Sequence, residues 1–257
     1  MISKKHLFFI TTCLCLSLEI FALDLVTFNY PPFLQKDEQG FVDRLLVDFK
    51  KTSNIKFNVE KFPVKRALSY YQTGQYYFHL GASDNLSKKE LSDSFIVPIF
   101  DLNVYLLFSE SNKEKLQKDL STLKNIKIGI LRGSQQEEEF AKKHGFSITT
   151  YNDSENAFNL LKKGRVDFIT FSPLFNNYQD ISGESTIDDF IYHKDLCYKT
   201  EAAFFINKSH TNANELHKEL SININKYLKS SEYSKLLKIT FKDDIPKGVI
   251  KYTREEL

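Results

Sequence analysis

The residues of this chain that could do chemistry are aromatic, basic and hydroxylic rather than metal-ligating or nucleophilic. Cys13, Cys15 and Cys197 are too few for a four-cysteine zinc site or a disulfide framework, and the six histidines show no HExxH or other metal-ligand spacing. No metal and no cofactor is expected. Ser134 and Ser172 have no histidine at a recognisable motif distance, and Gly133-Ser134 is not a GxSxG elbow, so neither serine has an evident base. Isolated histidines such as His79 and His193 read as structural. What remains suits the holding of a small solute. Tyr30 and Phe33 flank Pro31-Pro32, which would fix the two rings on a loop after a strand. Gly133-Ser134-Gln135 follows an apolar run and opens a helical pattern, so free N–H groups and the positive helix end would face an anion. Ser134 fits an ordinary N-cap equally well, and Arg132 beside it is either an anion contact or a solvated charge. Arg66 lies in the first turn of another helical pattern, where it reaches a cleft or braces a loop. Ser83 ends a strand and offers its hydroxyl to a ligand or to its own turn.

A repeated pattern must position these residues. Leu25-Val26-Thr27-Phe28 is β-prone and stops at Asn29-Tyr30-Pro31-Pro32-Phe33, where the prolines forbid helix and central strand. Phe41, Leu45, Leu46 and Phe49 recur at helical spacing up to a stop at Asn54. Residues 56–62 alternate, Pro63 precedes a helical run from Val64 to Tyr71, and Gly74 is a natural stop. Tyr76 to Leu80 reads as a strand, 81–92 as a polar loop and Phe95 to Phe108 as a long extended stretch. The pattern then restarts, with a strand at 127–131, a helix from Ser134 to about Lys143, a strand at 147–151, a helix at 156–163 and a strand at 166–171. The charged segment 113–125 crosses between the units. After an irregular stretch at 176–190 come a strand at 201–206 and helices at about 213–229 and 232–240. Two βαβαβ units predict an α/β fold of mainly parallel sheets covered by helices.

The 257 residues, 42% hydrophobic and 26% charged, exclude a disordered chain, a collagen and a membrane bundle. A net charge of +2 leaves no electrostatic footprint for nucleic acid or an anionic membrane. Ser3-Lys4-Lys5, an apolar run from Leu7 to Leu18 and the ending Ile20-Phe21-Ala22 have the order of a secretory signal peptide over residues 1–22. The run is shorter than the ~20 apolar residues of a spanning helix, and Glu19 interrupts it. A lipid anchor at Cys13 or Cys15 is the alternative, opposed by Thr12 where a lipoprotein box usually has Gly or Ala. Cleavage leaves Cys197 alone, as suits an oxidising compartment.

Seven short motifs stand in register: Asn29-Tyr30-Pro31-Pro32-Phe33, the helix start at Gly40-Phe41, Pro63-x-x-Arg66-Ala67-Leu68, Gly81-x-Ser83, Phe95-x-x-Pro98, Ile128-Gly129-x-x-x-Gly133-Ser134 and Gly164-x-x-Asp167. In order and spacing the mature chain resembles family 3 of the bacterial extracellular solute-binding proteins. The resemblance implies a two-lobed type II periplasmic binding protein fold, with residues 23–108 plus 199–257 as one lobe and 109–198 as the other. It implies a monomer that closes on a small-molecule ligand in the periplasm, without catalysis, and hands it to an ABC permease. A membrane sensor is the alternative partner, and an enzyme on the same fold a further alternative that would need a proton donor in the cleft. The resemblance favours a cleft role for Arg66.

Two departures bear on the ligand. Where amino-acid-binding relatives place an arginine on the ligand carboxylate, this chain offers Lys88 and Lys89, which lack the bidentate fork. Where they place an aspartate on the ligand ammonium, this chain has Ser172. The expected ligand is therefore a small polar solute, amino-acid-like or another small anion, held by Tyr30, Phe33, Arg66, Ser83, Lys88, Lys89, Arg132, Gly133, Ser134 and Ser172.

Overall fold

The computed structural model describes residues 22–30, 33–53, 55–115, 118–172 and 190–241. The leader apart from Ala22, the stop at Asn54, most of 176–190 and the polar tail from Asp243 lie outside the described residues.

Each half of the molecule begins with three parallel strands in the same order. β1 (Ala22–Thr27) lies between β2 (Lys56–Lys61) and β3 (Phe78–Ala82), and β5 (Lys127–Leu131) lies between β6 (Ser147–Tyr151) and β7 (Phe168–Phe171). Two long antiparallel strands, β4 (Ser94–Ser109) and β8 (Phe190–Asn207), join the halves into one sheet of order β2-β1-β3-β8-β4-β7-β5-β6. Each trio is therefore completed by a strand that also runs into the other half. β8 pairs with β3 over Ala202–Ile206, while β4 pairs with β7 over Tyr105–Phe108.

Short helices cover the sheet. α1 (Phe41–Thr52) buries Phe41, Val42, Leu45 and Phe49 along one face, and α2 (Val64–Gln72) starts directly after Pro63, the place a helix tolerates proline. In the second half, α4 (Gln135–His144) ends on Gly145 with φ +69, the left-handed cap that glycine adopts without strain, and α5 (Ser154–Lys162) is capped by Asp153, which accepts from Asn156 N at 2.8 Å. α6 (Ala213–Leu228) and α7 (Ser231–Phe241) pack back on the first half, where Phe41 meets Phe241 at 5.4 Å. A second, smaller core of Phe108, Ile128, Phe140 and Phe168 fills one side of the second half.

Three expectations shift. The strand expected at 201–206 is the end of β8, which begins at Phe190; in its first half the strand-prone Phe190, Ile191, Tyr192, Tyr198 and Thr200 are interrupted by charged residues, and the whole length pairs with β4. The third strand lies two residues further on than Tyr76–Leu80. The loop expected at 81–92 contains a 3-10 turn (Ser83–Asn85) and a short helix, α3 (Lys88–Ser92). A capping box fixes α3: Ser87 N donates to Glu90 at 2.6 Å and Glu90 N to Ser87 Oγ at 3.3 Å. In the segment between the units, Lys115 pairs with Asp167 at 2.5 Å, and Asp167 also accepts from Lys127 N at 2.7 Å.

Candidate functional site

Ordinary helix and turn chemistry brings two carboxyls together. Asp84 sits in the 3-10 turn that ends β3, and Glu137 in the first turn of α4, just past the end of β5. This 3-10 turn packs against α4, so each half of the molecule contributes one acid to the contact between them. Glu137 is 6% exposed; its Oε2 accepts from Leu131 N at 2.6 Å and its Oε1 from the Thr170 hydroxyl at 2.5 Å. Asp84 N donates to Thr200 Oγ1 at 3.1 Å, and its Oδ2 accepts from the Tyr198 hydroxyl at 3.3 Å. Its Oδ1 is sealed from solvent and has no partner.

Three buried tyrosines feel the pair's charge, and one of them, Tyr198, bonds to Asp84. Burial, then the charges of Asp84 and Glu137, raises the Tyr30 phenol well above its ordinary range, and burial with the same carboxyls does so for Tyr151 and Tyr198. Their hydroxyls stay protonated at any working pH. Burial, reinforced by the nearby Asp84 charge, pushes Glu137 up to about 8, while burial pushes Asp84 up to about 6 against the lowering effect of the hydrogen bond from Tyr198. Among the described residues, no lysine, arginine or histidine contributes to either shift.

A stability prediction follows from these directions. Both carboxyls hold their protons more tightly folded than unfolded, so their contribution is fully present below the ordinary carboxylate range. It is lost as pH rises through about 6 for Asp84 and about 8 for Glu137. His79 is fully buried and lowered by that burial to about 4, so its contribution is present above its ordinary 6.5 and is lost as pH falls. Among the described residues with a resolved shift, the carboxyls alone carry a slope between pH 6.5 and 8. The ligand-free protein should melt at a lower temperature at pH 8 than at pH 6.5, and Glu137→Gln should flatten that difference. A wild-type melting point that rises over this interval contradicts the assignment.

The expected site residues divide by position. Tyr30, whose phenol feels both carboxyls, is stacked on Phe33 at 6.3 Å, and Phe33, 4% exposed, rests on Phe100 at 5.1 Å inside its own half. Ser83 shares a 2.9 Å hydrogen bond with Thr200 next to Asp84. Gly133 has φ +101, and a Cβ there would stand 3.7 Å from Leu68 and Val64, so the start of α4 lies against the helix that carries Arg66. Ser134 and Ser172, 2% and 3% exposed, each have a sealed Oγ without a partner. Ser134 occupies the N-cap position of α4 yet makes no side-chain capping bond. Arg66, Lys88, Lys89 and Arg132 are exposed; Lys89 pairs with Asp93 at 2.6 Å, and Arg132 reaches Thr150 Oγ1 at 3.5 Å. The sequence reading did not single out Asp84, Glu137, Thr170, Tyr151, Tyr198 or Thr200. The available signal was an acid beside Ser83 and another three residues after Ser134, at the two strand ends where a cleft was expected.

No family model and no curated protein matches the sequence. Solved structures match it in fold. The GluR0 ligand-binding core from Nostoc punctiforme, in complex with L-glutamate, superposes with a TM-score of 0.70 at 14% identity over 85% of this chain and 99% of that one. An amino acid ABC transporter substrate-binding protein from Streptococcus pneumoniae, bound to L-arginine, gives 0.66 at 16% identity over 85% and 93%. The ancestral amino acid-binding protein AncCDT-1, a precursor of cyclohexadienyl dehydratase, gives 0.67 at 19% over 86% and 95%. The fold is thus that of the two-lobed type II periplasmic binding proteins, each lobe a mainly parallel sheet with flanking helices, as the sequence resemblance implied. The last of these structures shows that a binding protein of this fold can precede an enzyme.

Proposed function

We propose that this chain is a periplasmic solute-binding protein that captures a small polar solute between its lobes for an ABC importer, without transforming it. The observation that supports this reading is the contact between the Asp84 turn and α4. It lies at the carboxyl ends of parallel strands from both halves, where Asp84 Oδ1, Ser134 Oγ and Ser172 Oγ are buried without partners. In this proposal the lobes are 23–108 plus 199–257 and 109–198, the crossings run along β4 and β8, and the protein acts as a monomer. Tyr30, Ser83, Gly133, Ser134 and Ser172 make the inner contacts and Phe33 supports Tyr30, while Arg66, Lys88, Lys89 and Arg132 act at the rim. Of the ligand kinds left open by the sequence, the carboxyl pair favours the amino-acid-like one over a small anion.

Closure and export are separately testable. Small-angle scattering of ligand-stripped protein should show compaction on addition of a small-molecule extract of bacterial cells, and mass spectrometry should recover the bound molecule unchanged. No compaction rejects hinge closure. Intact mass of the periplasmic fraction of an expressing Gram-negative host should give a chain beginning at Leu23, and full-length protein in the membranes overturns the leader assignment. One observation favours a second reading. Catalysis on this fold needs a proton donor in the cleft, and Glu137, protonated up to about pH 8, is one. A bound molecule returned with an altered mass would assign the protein to that class.

A further inference from the structure

We propose that the solute presents a positive charge, an organic ammonium or guanidinium group, to Asp84 and Glu137 where the lobes meet, and that it needs no carboxylate of its own. The inference rests on the solute-binding reading and deepens it. Two acids from opposite halves approach each other where the 3-10 turn packs on α4, and among the described residues no cationic side chain contributes to the shift of either carboxyl. Glu137 has two hydrogen bonds from the protein, but Asp84 Oδ1 has none, and a sealed carboxylate oxygen without a donor calls for one from outside the chain.

The hydroxyls point the same way. Ser134 lies one helical turn before Glu137 on the same face of α4, and Ser172 stands two residues past Thr170, whose hydroxyl already reaches Glu137. Both serine oxygens are buried, at 2% and 3% residue exposure, and unpartnered. A serine hydroxyl accepts as well as donates, so both can join Asp84 Oδ1 in accepting from an ammonium or guanidinium group, which consists of donors only. Tyr30, Tyr151 and Tyr198 add hydroxyls that stay neutral beside a cation. A bare metal ion fits less well, because the described residues contain no cluster of three His, Cys, Asp or Glu side chains able to hold one. The cations that would clamp a ligand carboxylate, Arg66, Lys88, Lys89 and Arg132, are all exposed.

The test uses the full mature chain, freed of bound molecules, with agmatine, putrescine and L-arginine as cationic probes and succinate and glucose as controls at matched ionic strength. At least one cation should raise the melting temperature and bind at one site by calorimetry. Asp84→Asn and Glu137→Gln should each weaken that binding by about 10–100-fold, the range for a hydrogen bond to a charged group. Both variants should fold, melting at pH 8 no lower than the wild type, because each removes one of two repelling buried charges. Titrations near pH 7.5 in buffers of different ionisation enthalpy should show proton release on binding to the wild type and none with Glu137→Gln, a difference that a purely structural role would not produce. A flat response to all three cations, or unchanged affinity in both variants, overturns the inference. If succinate or glucose then shifts the wild type, the solute-binding reading stands without the cation. If no probe acts and the cell extract causes no compaction, that reading fails as well.

Discussion

Phe100→Ala should lower the melting temperature of the ligand-free protein by about 6–20 °C. The ring is fully buried on β4 and is a floor for the aromatic loop of the first half, with Phe33 at 5.1 Å and Phe41 at 5.7 Å. Removing a buried phenylalanine costs about 3–5 kcal/mol, from the lost transfer energy and from the cavity left in a close-packed interior. At about 2–4 °C per kcal/mol for a chain of this size, that gives the stated range. The effect reaches the site, because Tyr30 stacks on Phe33 and Phe33 rests on Phe100. Phe100→Leu, which keeps most of the volume, should lose much less stability. A fall of less than about 2 °C for the alanine variant would mean that the loop does not depend on this ring.

Lys61→Met should be nearly as damaging, for an electrostatic reason. Lys61 Nζ, at the end of β2, pairs with Asp43 at 2.8 Å and donates to the Gln35 carbonyl, and both side chains are sheltered, at 14% and 4% exposure. Asp43 also accepts from Gln35 N at 2.8 Å and from Gly40 N at 3.1 Å, so one carboxylate ties β2, the aromatic loop and the start of α1. Gly40 allows no substitute there, since a Cβ would stand 2.3 Å from the Phe33 carbonyl oxygen. Removing only the lysine leaves a buried carboxylate without its counter-charge, which costs about 3–5 kcal/mol. The double variant Asp43→Asn/Lys61→Met should lose less than the sum of the two single changes, because the stranded charge is gone. Additive losses in thermal melts would show that the pair is not coupled.

The fold is legible in the sequence where local signals repeat. Apolar residues at helical spacing predict α1 and α2, while Gly74, at positive φ, marks a true helix end. The first half of β8 is not legible, because His193-Lys194-Asp195 interrupts its strand-prone residues and its register comes from β4, about a hundred residues earlier in the chain. The aromatic loop and Gly133-Ser134 lie at strand ends, where topology alone places ligands. Asp84 and Glu137 escape notice because an acid in a turn or in the first turn of a helix is ordinarily solvated. Contact between the two halves makes them something else, and no local pattern encodes that contact. Lys88 and Lys89 illustrate the converse: the Ser87–Glu90 capping box holds α3 on the surface with both lysines exposed.

The most direct test of the central claim is native mass spectrometry of the mature protein, stripped by unfolding and refolding and then incubated with a small-molecule extract of bacterial cells. Binding without chemistry between Asp84 and Glu137 predicts one adduct per chain, recovered on denaturation at the mass of a component present in the extract. It also predicts that the adduct is lost or strongly reduced in Asp84→Asn/Glu137→Gln. No adduct on the wild type, an adduct equally abundant on the double variant, or a released molecule of altered mass would contradict the account.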